Sequence, residues 1–533
     1  MSATNMKKAI LKTQMLLMAL LFAVSAQAAT PGITASAGSS TFNLTAREAF
    51  ISQPDGQSVY SWGYGCTTST ATFVPAKIAA PSTGCPGMQI PGPTLVVTEN
   101  VPFTVTLTNS LPTAAGNTSI LFPGLTLQST TGGVGGLLTQ EAAQGNPVTY
   151  TLIAPSPGTR AYYSGTQGDL QVEMGLYGAI VVLPSAVPSN CTAGLPAAHP
   201  GNNAAAQAQW GESDFRLAAA AYDNAKTCYD REYLFQFSEM DPAIHRKAEE
   251  QLAAAGNCAA GTPGCSLNVP TEPYHPAYFM VNGRSMPDNM DPNYAAQYPH
   301  QPYNGNPHMH PGELTLIRVV GTGRCQHPFH EHGNHVRILG RDGNLILSPD
   351  GKALAGPLLF TTTTTPGLAL DGIFYWTGKG LNWDPYGHNP ASTDGSAKLP
   401  CTPDPDGYNT GAPTAINYYE WCQDHNKPVE KAPFGDVASG GPVTLPDPTL
   451  FAMGPWYSGS PYLGPDAASR GNGQAVNVPP SGTVANDPGS EAGWAFMWHS
   501  HNEREITTNN IFPGGMLMMM LVDSREFVID ESK

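Results

Sequence analysis

Two short clusters, His327-Pro328-Phe329-His330-Glu331-His332 and His499-Ser500-His501, hold five of the chain's 14 histidines. On an extended strand, side chains two apart share a face. His330 with His332, and His499 with His501, are therefore each a ready pair of imidazoles. Two such strands side by side would bring four imidazoles toward one spot. Neutral imidazole is the commonest side-chain ligand of transition metals and suits copper, zinc or iron. A lone H-x-H is a weak signal, as often a surface or core pair. Two of them, each set in an apolar strand, favour a metal site. The spacing of the rings decides the matter: nitrogens converging on a point roughly 2.0–2.1 Å from each hold a transition metal. Diverging rings do not.

Other residues carry weaker signals. His308-Met309-His310, ahead of Pro311-Gly312-Glu313, reads either as an auxiliary metal site, where Met favours Cu(I), or as an exposed loop, the commoner state of such a segment. Met516, Met518 and Met520 share one strand face, and core packing is the better reading for them. His335 is off the ligand register and reads as structural. Glu331 and Glu503 are candidates for supporting the metal ligands or moving protons. Glu331 points away from its histidine neighbours on a strand and reads more simply as a surface charge. No G-x-S-x-G, no G-x-G-x-x-G after a strand and no P-loop is present, which removes those enzyme classes as first choices.

The elements that must position these residues are strands. With 57 Gly and 50 Pro in 533 residues and only 12% charged residues, long helices and coiled coils are disfavoured. In Val101–Thr108 the apolar Phe103, Val105 and Leu107 alternate with Thr, the period of a half-buried strand. A closing strand at 175–184 ends the first β-rich block, 29–185, and the Ala/Gly/Asn-rich stretch 186–227 reads as a linker. A second block, 228–525, opens at Tyr229 and carries strand signals at Tyr278–Gly283 and Glu313–Val320. It also contains the one convincing helix, with Asp241 as cap, Pro242 in the first turn and Gly256 as stop. Residues 378–490, rich in Pro, Gly and Asp, read as a long irregular insertion in this second block, and 526–533 as a tail.

The first 28 residues have the form of a secretory signal: Lys7, Lys8 and Lys12, then an apolar run, then Ala26-Gln27-Ala28. That run is too short to span a bilayer, and no later stretch reaches the ~20 apolar residues a span needs. The expected location is secreted, periplasmic or extracellular, where the nine cysteines are free to pair. Cys66 with Cys85, Cys258 with Cys265 and Cys401 with Cys422 are candidate pairs, and Cys325 is the odd one to watch. A net charge of −16 with no basic block past the first dozen positions makes nucleic acid an unlikely partner.

The motifs together resemble the multicopper oxidases and their copper nitrite reductase relatives. His327-Pro328-Phe329-His330-Glu331-His332-Gly333 is similar to the family's H-P-x-H-x-H-G strand. Trp498-His499-Ser500-His501 with Gly514-Gly515-Met516 resembles the H-C-H strand and its downstream Met. Pro91-Gly92-Pro93-Thr94 and Met174-Gly175-Leu176-Tyr177-Gly178 resemble landmarks of the first domain. The resemblance implies an all-β fold of two cupredoxin-like Greek-key β-sandwich or barrel domains, with the insertion in the second and one short helix near 241–255.

The resemblance also implies copper, with a type 1 ligand at His327, a type 2 ligand at His330 and type 3 ligands at His332, His499 and His501. Where the family's strand has Cys, this chain has Ser500, and the next family ligand, a His, falls on Glu505. In the first domain Leu121 and Pro123 fall on the family's H-W-H histidines, and Tyr162–Gln167 on its second pair. No His precedes His199. The expected activity is one-electron oxidation of a metal ion or small reductant with an incomplete copper set. The rival is a non-catalytic metal-binding or structural scaffold. A homo-oligomer sharing ligands between subunits is a third arrangement.

Overall fold

A computed structural model describes residues 29–35, 40–67, 71–78, 81, 83–192, 212–376, 401–405, 407–412, 459–463, 492–523 and 528–532. The expected signal at 1–28 and most of the 378–490 insertion lie outside these residues.

The chain is all-β, built as two cupredoxin-like sandwiches. In the first, one sheet runs in the order Gly158–Tyr163, Tyr177–Leu183, Leu95–Thr98, Gly32–Thr34, Thr72–Val74. It faces a sheet ordered Ser58–Cys66, Thr41–Ser52, Phe103–Asn109, Val148–Ile153, Thr126–Gly132. The alternation read at 101–108 is borne out. Phe103, Val105 and Leu107 point inward to Leu44, Leu95, Val97 and Ile180, while Thr104 and Thr106 bond across to Thr41 and Thr149 at 2.6 and 2.8 Å.

In the second sandwich, Tyr278–Val281, Arg231–Met240, Leu314–Gly321, Ala369–Tyr375 and Val336–Arg341 are successive strands of one sheet. The other sheet is ordered His308–Met309, Leu517–Asp523, Ala492–Ser500, His327–Glu331, Thr361–Thr364, and Gly459–Leu463 pairs with Ala492–Ser500. Between the sheets lies an aromatic core of Phe235, Phe237, Phe329, Phe374, Trp494 and Trp498, which Met516, Met518 and Met520 join.

The helix, Pro242–Ala255, starts where the sequence places it. The Asp241 carboxylate accepts the Ala243 N–H at 2.9 Å, and Gly256 with φ +55° ends it. It follows a strand of the second sandwich, yet Ile244, Ala248 and Leu252 pack into the core of the first. Glu173 seals its start by accepting the Asp241 N–H at 2.7 Å, and burial pushes the Glu173 carboxyl up to about 8. A carboxyl whose folded pKa is raised holds its proton more tightly when folded. Its contribution therefore falls as pH rises from the ordinary Glu range through 8, by up to about 1.4 kcal/mol per pH unit. Glu531, also pushed up to about 8 by burial, acts in the same direction. Urea midpoints measured at pH 5 and pH 8.5 are expected to drop, and Glu173→Gln to flatten that drop. An equal slope in the variant would count against the assignment.

The sandwiches meet where Ala161 and Ala179 press on Leu234, Val320 and Ala369. Beside them, buried Arg318 bonds Glu232 at 2.9 Å and approaches Asp371 at 3.4 Å. Asp371 in turn accepts from the Thr159 N–H and hydroxyl and from the Tyr222 hydroxyl. Tyr222 belongs to the stretch read as linker. Its described part is packed, with Ala220, Ala221 and Tyr222 buried, and a Cys191–Cys228 disulfide brackets it. Cys66–Cys85 and Cys258–Cys265 also pair, and Cys325 is free. Cys401 is disulfide-bonded, and Cys422 lies outside the described residues. No helix among the described residues is long and apolar enough to cross a membrane.

Candidate metal centre

The two histidine strands are neighbours. His327–Glu331 pairs antiparallel with Ala492–Ser500, setting His330 opposite His499, Phe329 opposite Ser500 and Glu331 opposite Trp498. Residues opposite one another share a face. Phe329 and Trp498 turn into the aromatic core, so His330 and His499 project from the other side, joined by His332 and His501. Ring centroids lie 4.8 Å apart for His330–His332, 4.9 Å for His330–His501, 5.0 Å for His332–His499 and 5.6 Å for His330–His499. Four of the five expected ligands are thus in one cluster.

Their nitrogens are only partly gathered. His332 Nε2 and His499 Nε2 are 3.1 Å apart, the separation of two ligands each ~2.0 Å from one ion at an angle of about 100°. Among the described residues the one trio with ligand atoms all within 4.8 Å of each other is a different one, Glu212, His310 and Glu313. His330 and His501 complete the cluster in mostly edge-to-face packing, with ring centroids 4.8–5.7 Å from their neighbours.

The electronic state suits a metal. Burial, and then the nearby His499 and His501, lower His330 to about 4. Burial also lowers His499. Both rings are neutral at pH 7. His499 Nδ1–H donates to the Ser500 carbonyl at 2.7 Å, which places the lone pair on Nε2. His330 Nδ1 meets Thr361 Oγ1 at 2.8 Å, and Phe360 packs edge-on to the same ring.

His327 is not in the cluster. It lies on the core side of its strand, fully buried, with Nε2 2.8 Å from Glu239 and Nδ1 2.9 Å from Glu505. Burial opposes charge on the ring, but the hydrogen bonds it donates to Glu239 and Glu505 and the charges of both outweigh it and hold His327 at about 9.

Glu331 is not a surface charge. It is fully buried beside Trp498 with Thr362 donating to it, and burial pushes it up to about 8. The alternation placed it correctly on the face opposite the histidines, and that face is the core. Glu503 is exposed and His335 half-buried.

The His308-Met309-His310 segment is a buried strand, not an exposed loop. His308 bonds Asp523 at 2.9 Å and His310 bonds Glu212. Arg231 bridges Glu212 and Glu313 at 2.6 and 2.5 Å, so a fixed guanidinium already occupies the middle of that acidic trio. The tail joins it: Ile529 N–H donates to Glu212 at 2.9 Å and the Tyr233 hydroxyl to Glu531 at 2.6 Å. No signal near His310 in the sequence points to Glu212, Arg231 or Glu531.

In the first sandwich, the segments standing where the resemblance expects histidines do meet, with Leu121 bridged to Tyr163. They line a cavity of about 480 Å³ between the sandwiches, together with Val172, Thr322 and Arg324.

Residues 69–187 match the family model described as multicopper oxidase. No curated protein matches the sequence. Among solved structures, a multicopper oxidase, mgLAC, is similar at 16% identity over 91% of this chain and 86% of that one, with a TM-score of 0.43. A blue copper oxidase from Nitrosomonas europaea is similar at 14% identity over 90% and 85%, TM-score 0.43. A copper nitrite reductase from Nitrosomonas europaea is similar at 18% identity over 62% and 83%, TM-score 0.36. The similarity to the multicopper oxidase family model thus lies mainly in the first sandwich.

Proposed function

We propose that this protein is a secreted, copper-binding oxidoreductase of multicopper oxidase type with an incomplete copper set, acting on a metal ion or a small-molecule reductant. The observation that carries the reading is the His332–His499 nitrogen pair at 3.1 Å, backed by the two further imidazoles of His330 and His501 within one ring's reach. Copper held there supplies one-electron redox chemistry. The chain's own residues prepare the site: the Ser500 carbonyl fixes the His499 tautomer, burial favours the neutral form of His330 and His499, and Phe360 shields one edge. His332 and His499 would hold the copper, with His330 and His501 as the further imidazoles at hand. His327, bonded through both nitrogens, is left out of this set.

The copper set is incomplete in this reading because Ser500 and Glu505 replace a thiolate and an imidazole, and because no histidine precedes His199. A hydroxyl is no substitute for a soft thiolate. The net charge of −16 favours cationic substrates, and the leader form of 1–28 with the disulfides among the described residues supports secretion. The same reading divides the mature chain into domains at 29–185 and 228–525, joined by 186–227. A second reading, a non-catalytic metal-binding or structural scaffold, is favoured by Ser500 alone.

Metal-depleted protein titrated with Cu(II), followed by metal analysis, electron paramagnetic resonance and oxygen uptake with a reductant, separates the two. The oxidoreductase reading expects retained copper with nitrogen couplings, oxygen consumption, and no intense blue band. Copper retained without oxygen uptake selects the scaffold. No retained copper removes both metal readings.

A further inference from the structure

His327, Ser500 and Glu505, the three positions where the resemblance expects type 1 copper ligands, do converge in space. Ser500 Oγ donates to Glu505 Oε2 at 2.5 Å, and the same oxygen receives His327 Nδ1 at 2.9 Å. The place is already filled. Glu239, from the strand Arg231–Met240 of the facing sheet, takes His327 Nε2 at 2.8 Å. We propose that Glu239, His327 and Glu505 form a metal-free centre in which an imidazole cation, clamped between two carboxylates, joins the two sheets of the second sandwich at the place the resemblance gives to a copper ion.

Hydrogen-bond chemistry makes the case. A neutral imidazole has one N–H, and only the cation donates from both nitrogens. A ring donating at both ends to carboxylates has no lone pair for a metal. The two carboxylates sit on opposite edges of the ring, so no single ion reaches both in place of the ring. Neither carboxylate is short of partners. Glu239 Oε1 accepts the Arg324 and Cys325 N–H groups at 2.6 and 2.9 Å and the Tyr274 hydroxyl at 3.2 Å, and Glu505 Oε1 accepts Asn502 at 2.9 Å. Every carboxylate oxygen is used, as charge-assisted buried bonds require. The nearest sulfur offers no alternative. Burial, and then the charge of Glu239, push the Cys325 thiol up to about 12, far from the thiolate a soft metal needs. Arg324, stacked over Tyr274 at 4.1 Å, pairs with exposed Glu272 and leaves the clamp to the imidazole.

The test uses the full-length protein with His327→Gln and the triple variant Glu239→Gln/His327→Gln/Glu505→Gln. In metal-free wild type at pH 7, histidine long-range ¹H–¹⁵N spectra are expected to show one signal with both ring nitrogens protonated. It should be absent from either variant and unmoved by Zn(II). The single variant should melt roughly 5 °C or more below wild type, and the triple variant should recover part of that loss. Copper uptake should equal that of wild type in both. A His327 signal with one unprotonated nitrogen that shifts on Zn(II) addition, or loss of one copper equivalent in His327→Gln, overturns the proposal. If the single variant does not fold, the wild-type spectrum, assigned with the triple variant, decides. The outcome is independent of the four-imidazole site, whose failure would appear as absent copper in wild type itself.

Discussion

Replacing His332 and His499 together with alanine is expected to cut affinity for Cu(II) by roughly a thousandfold or more, while His335→Ala leaves it unchanged. The estimate is conservative. Partners that merely orient a metal ligand are worth about 10- to 100-fold each, and here two ligands are removed outright. These two rings are chosen because they hold the one nitrogen pair of the cluster at 3.1 Å. Alanine at either position deletes a donor without disturbing the core, since the core faces of these strands are filled by Phe329 and Trp498. Competition with a chelator of known affinity gives the measurement. Unchanged affinity in the double variant would mean that copper, if bound, sits elsewhere than on this nitrogen pair.

The second large effect concerns the seam between the sandwiches. Arg318→Met is expected to destabilise the protein by about 3–5 kcal/mol, the usual result of removing one partner from a buried ion pair. Methionine matches the bulk of the side chain and leaves Glu232 and Asp371 buried without their cation. Asp371 also holds Thr159 of the first sandwich and Tyr222 of the connecting stretch, so the loss reaches both domains. Adding Glu232→Gln and Asp371→Asn to Arg318→Met is expected to restore much of the loss, because the stranded charges then vanish. Denaturant midpoints measure this, and a shift under about 1 kcal/mol would show that water has entered the seam and screens the charges.

Much of this architecture was legible because it rests on short periods. Alternation over Phe103, Val105 and Leu107 fixed a strand, and the same alternation put His330 with His332 and His499 with His501 on common faces. The Asp241 cap and Gly256 stop bounded the helix. What stayed hidden depends on distance along the chain. Nothing near His327 announces Glu239, 88 residues earlier, as the partner of its Nε2, and nothing near His310 announces Glu212 or the tail residue Glu531. Glu331 was misread as exposed because alternation says which residues share a face but not which face meets the core. The positions of the donor atoms lie beyond the sequence for a related reason: the backbone period aligns rings, whereas the packing of each imidazole against its neighbours sets where its nitrogens stop.

The Pro242–Ala255 helix bears on how this protein could be cut into pieces. Its three apolar side chains sit in a socket of the N-terminal half, while its covalent attachment is to the C-terminal half. A truncated product stopping near residue 228 would expose that socket to solvent, and a fragment beginning there would carry a greasy helix with nowhere to dock. Expressing the halves separately therefore calls for co-expression, so that each supplies what the other lacks, because a boundary beyond the helix would take the strand Arg231–Met240 out of its sheet.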